Sequence, residues 1–350
     1  MLPYWLLFAV FAAGAIAVRG SAGGPSPSRP LLYLAAMLMT AFIGLRYDVG
    51  PDWEAYLEIY KGVSRLGLGD VITHDDPGFY LLMWVGRKLQ LEIWALNLVC
   101  AAIFTCGLVA FARRQPNPWL AVAVAVPYLV IVMAMSGTRQ ATAIGFILLG
   151  LAAFADKKLY RLMFWVMCAS LFHASALLMV VIVGLSYTRN RFQSIVLLCM
   201  AAVPAYFILS ASFEVYISRY GNETIQSEGT IYRVLMNFIP ALYLLFNLKK
   251  FTREQHERML WRNLAIFAVI CVPIMMIVPS STALDRVSLY VIPMQIFTLA
   301  RLPNVVSDNS KEYLVTTMAI VGLLGIVMFV YFTFSTHGEY YIPYRLYPLF

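Results

Sequence analysis

Between Phe42 and Tyr60 the sequence FIGLRYDVGPDWEAYLEIY sets Arg46, Asp48, Asp52 and Glu54 around a Gly50-Pro51 turn. A guanidinium holds an anion through parallel N–H donors, and a carboxylate takes a proton. Arg46 and Asp52 therefore suit a reaction that deprotonates a hydroxyl while a charged leaving group is held. The plainer reading of the same spacing is an ion pair that shapes the loop.

Three other stretches carry related chemistry. Arg139-Gln140 opens an apolar run directly after Ser136 and Thr138, which puts Arg139 at a helix N-terminus, where free amides and the helix dipole favour an anion. Snorkelling to the membrane surface is the structural alternative. His173 stands in Phe172-His173-Ala174-Ser175 amid apolar residues, either as a satisfied hydrogen-bonding group or as an acid-base residue. Asp285-Arg286 follows PSSTAL and repeats the logic of Arg139; adjacent residues do not share a helix face, so the two serve different partners. No second His or Cys stands at ligand spacing from His173, and the five cysteines lie inside apolar runs without a CxxC pair, so neither a metal site nor a disulfide framework is expected. No GxGxxG or GxxxxGK[ST] segment supports a nucleotide-fuelled reaction.

The elements that must position these residues follow from composition. A chain of 350 residues that is 61% hydrophobic and 13% charged cannot bury its apolar surface in one soluble core. Its apolar runs suit helices crossing a hydrocarbon layer of about 30 Å, and no alternating segments suggest a β-barrel. The expectation is an all-α polytopic membrane protein of about 10–12 transmembrane helices, forming a single multispanning domain over 1–350. Helices are expected near 2–18, 31–45, 91–111, 119–135, 140–155, 193–210, 233–248, 263–279, 287–300 and 313–334. Residues 19–30 read as a Gly/Ser/Pro linker, 46–90 as an outer-face loop region, and FYLLMWVGRKL within it as an interfacial or re-entrant helix too short to span. The first run lacks a basic leader and is followed by Arg19 and Arg29, which favours a retained helix over a cleaved signal.

The net charge of +8 comes from basic residues scattered in short loops, which fits membrane topology better than nucleic acid, and no nucleic-acid partner is expected. Residues 159–188 are either one span or a helical hairpin broken near His173. With a hairpin, the loops 19–30, 112–118, 156–161, 185–192, 249–262 and 301–312 share a face and hold 16 Lys/Arg against 5 Asp/Glu, while the rest of the chain holds 10 against 13. The positive-inside rule favours that arrangement, with Thr252 to Arg258 as a solvated topology determinant. Arg46, Asp48, Asp52, Asp75, Asp76, Arg139, Gln140, His173, Glu228, Arg233, Asp285, Arg286 and the aromatic tail YYIPYRLYP then collect on the opposite, outer face. A transporter places such groups near mid-membrane; a one-sided cluster fits an enzyme at a membrane mouth.

These residues together resemble the EpsG family of bacterial exopolysaccharide-synthesis membrane proteins, grouped with the Wzy-type polysaccharide polymerases. The likeness rests on R-x3-G-x-D-x3-Y at Arg46, Gly50, Asp52 and Tyr56, on Asp76-Pro77-Gly78-Phe79, on Arg139-Gln140, on F-H-x-S-A at Phe172, His173, Ser175 and Ala176, and more loosely on Asp285-Arg286 with Tyr290. The resemblance implies a GT-C-like membrane glycosyltransferase in the bacterial cytoplasmic membrane. Its site would face the periplasm or cell exterior and join undecaprenyl-diphosphate-linked oligosaccharide repeat units, as in O-antigen or exopolysaccharide synthesis, without a cofactor. Membrane lipids, a chain-length regulator and a flippase are the implied partners. A glycan ligase or a lipid-linked oligosaccharide flippase are the alternatives. On this reading Arg139 and Arg286, with Arg46, hold the donor diphosphate, and Asp52, or else Asp48 or His173, takes the acceptor proton. Gln140, Asp285 and Asp76 join the substrate-binding set, with Trp53, Tyr56 and Phe79 stacking on sugar faces.

Overall fold

Apolar backbone in hydrocarbon must satisfy its own hydrogen bonds, and helices do so within one segment. A computed structural model describes residues 1–18, 29–156, 158–187, 230–277 and 281–349, and among these the regular structure is helical with no strand. Most of the expected 19–30 linker, the expected helix at 193–210 and Glu228 lie outside the described residues. Among the described residues, five helices of 20 to 25 residues are long and apolar enough to cross a membrane, and six apolar helices of 10 to 17 residues accompany them. The protein is an all-α polytopic membrane protein.

The chain divides into two compact units, residues 1–173 with 299–350 and residues 174–298. In the first unit, α1 (Leu2–Ala17) and α2 (Arg29–Gly44) precede a layer of short helices, α3 (Trp53–Gly62), α4 (Leu68–Ile72) and α5 (Pro77–Lys88). The stretch expected as loop is thus largely helical. Its own aromatic cluster explains this: Trp53, Tyr56, Tyr60, Phe79 and Met83 pack with Ile93, Leu96 and Cys100 of the next helix. The 12-residue α5 covers about 18 Å at 1.5 Å per residue, too short to span, as its sequence predicts.

Next come α6 (Ile93–Ala112), α7 (Pro118–Ala125), a π-helical continuation over Val126–Met133, α8 (Thr138–Phe154) and α9 (Leu159–Phe172). Helices α6 and α8 meet backbone to backbone. A methyl group on Gly107 would fall 2.0 Å from the Gly145 carbonyl oxygen, and one on Gly145 would fall 2.6 Å from Phe104 Cα. Small residues permit such approach where lipid offers no hydrophobic drive for association. Asn117 caps α7 by accepting from the Leu120 amide at 3.0 Å, and donates to the carbonyl of Ala15 and the hydroxyl of Tyr313. One buried amide therefore ties α7 to the end of α1 and to the long helix carrying Tyr313.

Helix α9 ends at His173, whose extended backbone (φ −159°, ψ 113°) puts the break where the sequence predicts one. The second unit contains a 3-10 turn at Ala174–Leu177, α10 (Leu178–Tyr187), α11 (Thr230–Phe251), α12 (Gln255–Ile277) and α13 (Ser281–Ser288). Between α11 and α12, Thr252 donates to Glu257 at 2.8 Å and Arg258 donates to the carbonyls of Thr252 and Arg253, closing a tight basic turn. Helix α14 (Ile292–Val306) leads back into the first unit, which ends with α15 (Ser310–Phe334) and an aromatic tail.

Candidate active site

The turn Ser136-Gly137-Thr138 joins the π segment to α8 and meets both halves of the opening motif. Ser136 Oγ donates to Asp52 Oδ2 at 2.8 Å, and Arg46 Nη2 donates to Thr138 Oγ1 at 2.8 Å. The Arg46–Asp52 ion pair, the plainer reading of their spacing, does not form. Arg46 is 2% exposed and spends its other terminal nitrogen on the Ile43 carbonyl at 2.9 Å, with no carboxylate within ion-pair distance among the described residues. Asp52 precedes α3, leaves the helix amides uncapped by its side chain, and stays exposed beside Ser136.

The loop that carries Arg46, Asp48 and Asp52 is held by the C-terminal tail, whose part in the site the sequence signals only as an aromatic run. Arg46 and Leu346 form an isolated antiparallel bridge; Tyr47 N donates to Arg345 O at 3.0 Å, Tyr347 N to Leu45 O at 2.8 Å, and Gly50 N to Tyr340 O at 2.9 Å. Asp48, with φ 53°, pairs with Arg345 at 2.7 Å. Gly50 has φ 98°, and a Cβ there would meet the Met135 carbonyl oxygen at 2.3 Å, so two requirements select glycine. Tyr344 stacks on Phe42 at 4.2 Å and donates to its carbonyl, and Tyr341 donates to Val132 O within the π segment.

Beside this turn, three residues from three helix ends meet. Asp76 precedes α5, Arg139 lies in the first turn of α8, and His173 follows α9. Arg139 Nη1 is 2.8 Å from Asp76 Oδ2, and His173 Nδ1 is 3.7 Å from Asp76 Oδ1. The Arg139 side chain is 34% exposed and that of Asp76 6%. Burial alone would raise the Asp76 carboxyl, but the neighbouring His173 and Arg139 outweigh it and hold the group below the usual carboxylate range. The Arg139 amide is 3.5 Å from the Tyr56 hydroxyl, and its guanidinium lies 6.0 Å from the ring centres of Tyr56 and Phe79. Burial raises the Tyr56 phenol, with the Arg139 charge opposing.

Phe79 is fully buried, Trp53 and Tyr56 nearly so, and Gln140 is buried within α8. The three aromatic rings build the layer under the site, and they present no open face on which a sugar stacks. Asp285 and Arg286 lie on α13 of the second unit, where Tyr290 receives a hydrogen bond from Ser175 at 3.2 Å. Among the described residues no group of three or more His, Cys, Asp or Glu side chains could hold a metal ion. An exposed carboxylate, a partly exposed guanidinium at a helix start and an Asp-His contact equip this face for proton removal beside a bound anion. In comparison with known proteins, residues 30–346 match the EpsG family. No curated protein and no solved structure matches the chain.

Proposed function

The chain belongs to the EpsG family, and from that premise we propose that it is a polysaccharide polymerase that joins undecaprenyl-diphosphate-linked oligosaccharide repeat units on the outer face of the bacterial cytoplasmic membrane. The observation that carries this reading is Arg139. It is a partly exposed guanidinium at the start of α8, kept in place by Asp76 and beside an exposed carboxylate at Asp52.

In this reaction the acceptor hydroxyl oxygen attacks the anomeric carbon of the donor. The bond from that carbon to the diphosphate oxygen breaks, and the proton goes to Asp52, oriented by Ser136. Arg139 and the α8 N-terminus stabilise the charge that develops on the departing undecaprenyl diphosphate. Arg46 is too buried to touch the donor and supports the site through Thr138. The diphosphate itself is the energy source, which suits a chain without a nucleotide-binding motif. A chain-length regulator and a flippase are the partners this role requires.

The test is purified full-length protein given only lipid-diphosphate repeat units. A ladder of longer products without added nucleotide sugar is the expected result. No ladder, but transfer of a finished glycan to a second acceptor, would move the assignment to a ligase; movement of the lipid across vesicles without bond formation would make it a flippase. Arg139→Lys keeps the charge but not the fork, and unchanged product length and yield at equal protein level would remove the bidentate role.

A further inference from the structure

Asp76 is placed unusually for the residue before a helix. Aspartate there ordinarily accepts from the first free amides of its own helix. Asp76 makes no side-chain cap bond to α5, and Pro77 takes the first helical position. Its carboxylate instead points away from its helix, with one oxygen on Arg139 and the other towards His173. His173 is short of partners in turn: neither ring nitrogen has a hydrogen bond among the described residues, although both are buried.

That geometry holds two anion sites in competition. Arg139 is the cation best placed for a diphosphate, yet a carboxylate already occupies it. A diphosphate carries more charge and more acceptor oxygens than a carboxylate, so it is the stronger competitor for the guanidinium. A carboxylate whose side chain is 6% exposed cannot be left unpaired. The 3.7 Å gap to His173 Nδ1 closes to hydrogen-bond length with a movement of about 1 Å.

We propose that Asp76 is a positioning residue acting as a resident anion: it occupies Arg139 while the donor is absent, yields Arg139 to the donor's diphosphate, and passes its released carboxylate to His173. This rests on the reading of Arg139 as the diphosphate site. The resident anion keeps the buried side of the guanidinium neutralised between turnovers and fixes its direction before the lipid arrives. The exchange needs no net change in charge at Asp76, since His173 replaces Arg139 as its partner. Tyr80 lies in the field of Asp76, Asp75 and Arg139, and His74 stacks on the Tyr80 ring at 3.4 Å.

The sign of the effect separates this role from direct substrate binding. Equilibrium binding of farnesyl diphosphate to the purified full-length chain in lipid nanodiscs provides the readout. Asp76→Asn removes the competitor and should bind roughly three- to tenfold tighter, while Asp76→Glu should stay near wild type. His173→Gln removes the imidazole that takes over the released carboxylate and should bind weaker by a similar factor. The double variant should behave like Asp76→Asn alone, a non-additive cycle that independent contacts would not produce. Weaker or unchanged binding by folded Asp76→Asn would overturn the proposal. Should Asp76→Asn fail to fold, the His173→Gln arm decides, and unchanged binding there would overturn it equally. Arg139→Gln distinguishes the two levels. If it binds as well as wild type, the diphosphate reading itself fails; if it loses binding while Asp76→Asn does not tighten, only the exchange fails.

Discussion

Arg46 Nη2 donates to Thr138 Oγ1 at 2.8 Å, joining the end of α2 to the first turn of α8 across 92 residues of chain. The guanidinium is nearly inaccessible and its partners are neutral, so the contact sets the position of the α8 start that carries Arg139. Thr138→Val keeps the shape and removes the acceptor, leaving a buried charged donor unsatisfied at a cost of about 1–3 kcal/mol. The expected outcome is a lowered melting temperature in detergent, with Thr138→Ser close to wild type. Equal melting of Thr138→Val and wild type would contradict the role.

Asp52 and Ser136 form the exposed half of the same turn. A general base contributes about 10²- to 10⁴-fold, so Asp52→Asn should reduce the ladder-forming rate by a factor in that range at unchanged protein level. Ser136→Ala removes one hydrogen bond to the Asp52 carboxylate, at this exposed position near the low end of the roughly 1.5–3 kcal/mol of a charged partner, and should slow the reaction about tenfold. If the Asp52→Asn rate falls no further than that of Ser136→Ala, Asp52 is not the base.

Asp48 is the other carboxylate of the motif, and its half-exposed contact with Arg345 gives it a different fate. Exposed ion pairs are worth about 0–1 kcal/mol, and Asn tolerates a left-handed backbone. Asp48→Asn should therefore leave polymer yield within about twofold and melting nearly unchanged. A large loss of activity would return Asp48 to the reaction.

Helices α6 and α8 touch at Gly107 and Gly145 with no room for a methyl group. Gly107→Ala or Gly145→Ala forces the two backbones apart, at a cost of about 1–3 kcal/mol from overpacking. Thermal unfolding monitored by tryptophan fluorescence should show both variants destabilised. Wild-type melting would mean the helices are less closely packed than their backbones indicate.

Asp76 also sets a pH window. Its folded carboxyl lies below the ordinary value of 3.8, so its ion pairing is fully present above that pH and is lost as pH falls through the lowered folded value. The stability difference between wild type and Asp76→Asn should hold from neutrality down to about pH 4 and shrink only below it. A difference that does not change on acidification below pH 4 would show an unshifted carboxyl, and one that already changes above pH 5 a raised one.

Much of this protein follows from sequence alone. Long apolar runs leave the backbone no solution in lipid but helices, so the all-α polytopic fold is determined by composition and run length. Arg139 at the head of one apolar run marks a helix start, and His173 between two apolar halves marks a break, because both are local matters of periodicity; the helix start itself is capped by Gly137 without a side-chain bond. Tertiary structure alone decided the partners. Arg46 and Asp52 are near neighbours in sequence, yet they face different residues of one distant turn, and Asp76 turns from its own helix to Arg139 and His173. The burial of Trp53, Tyr56 and Phe79, which makes them packing residues, likewise depends on the α6 face that covers them. Local propensity reads a chain a few residues at a time, whereas a buried charge or ring is placed by the lowest-cost partner that folding brings near, and that partner can lie anywhere in the chain.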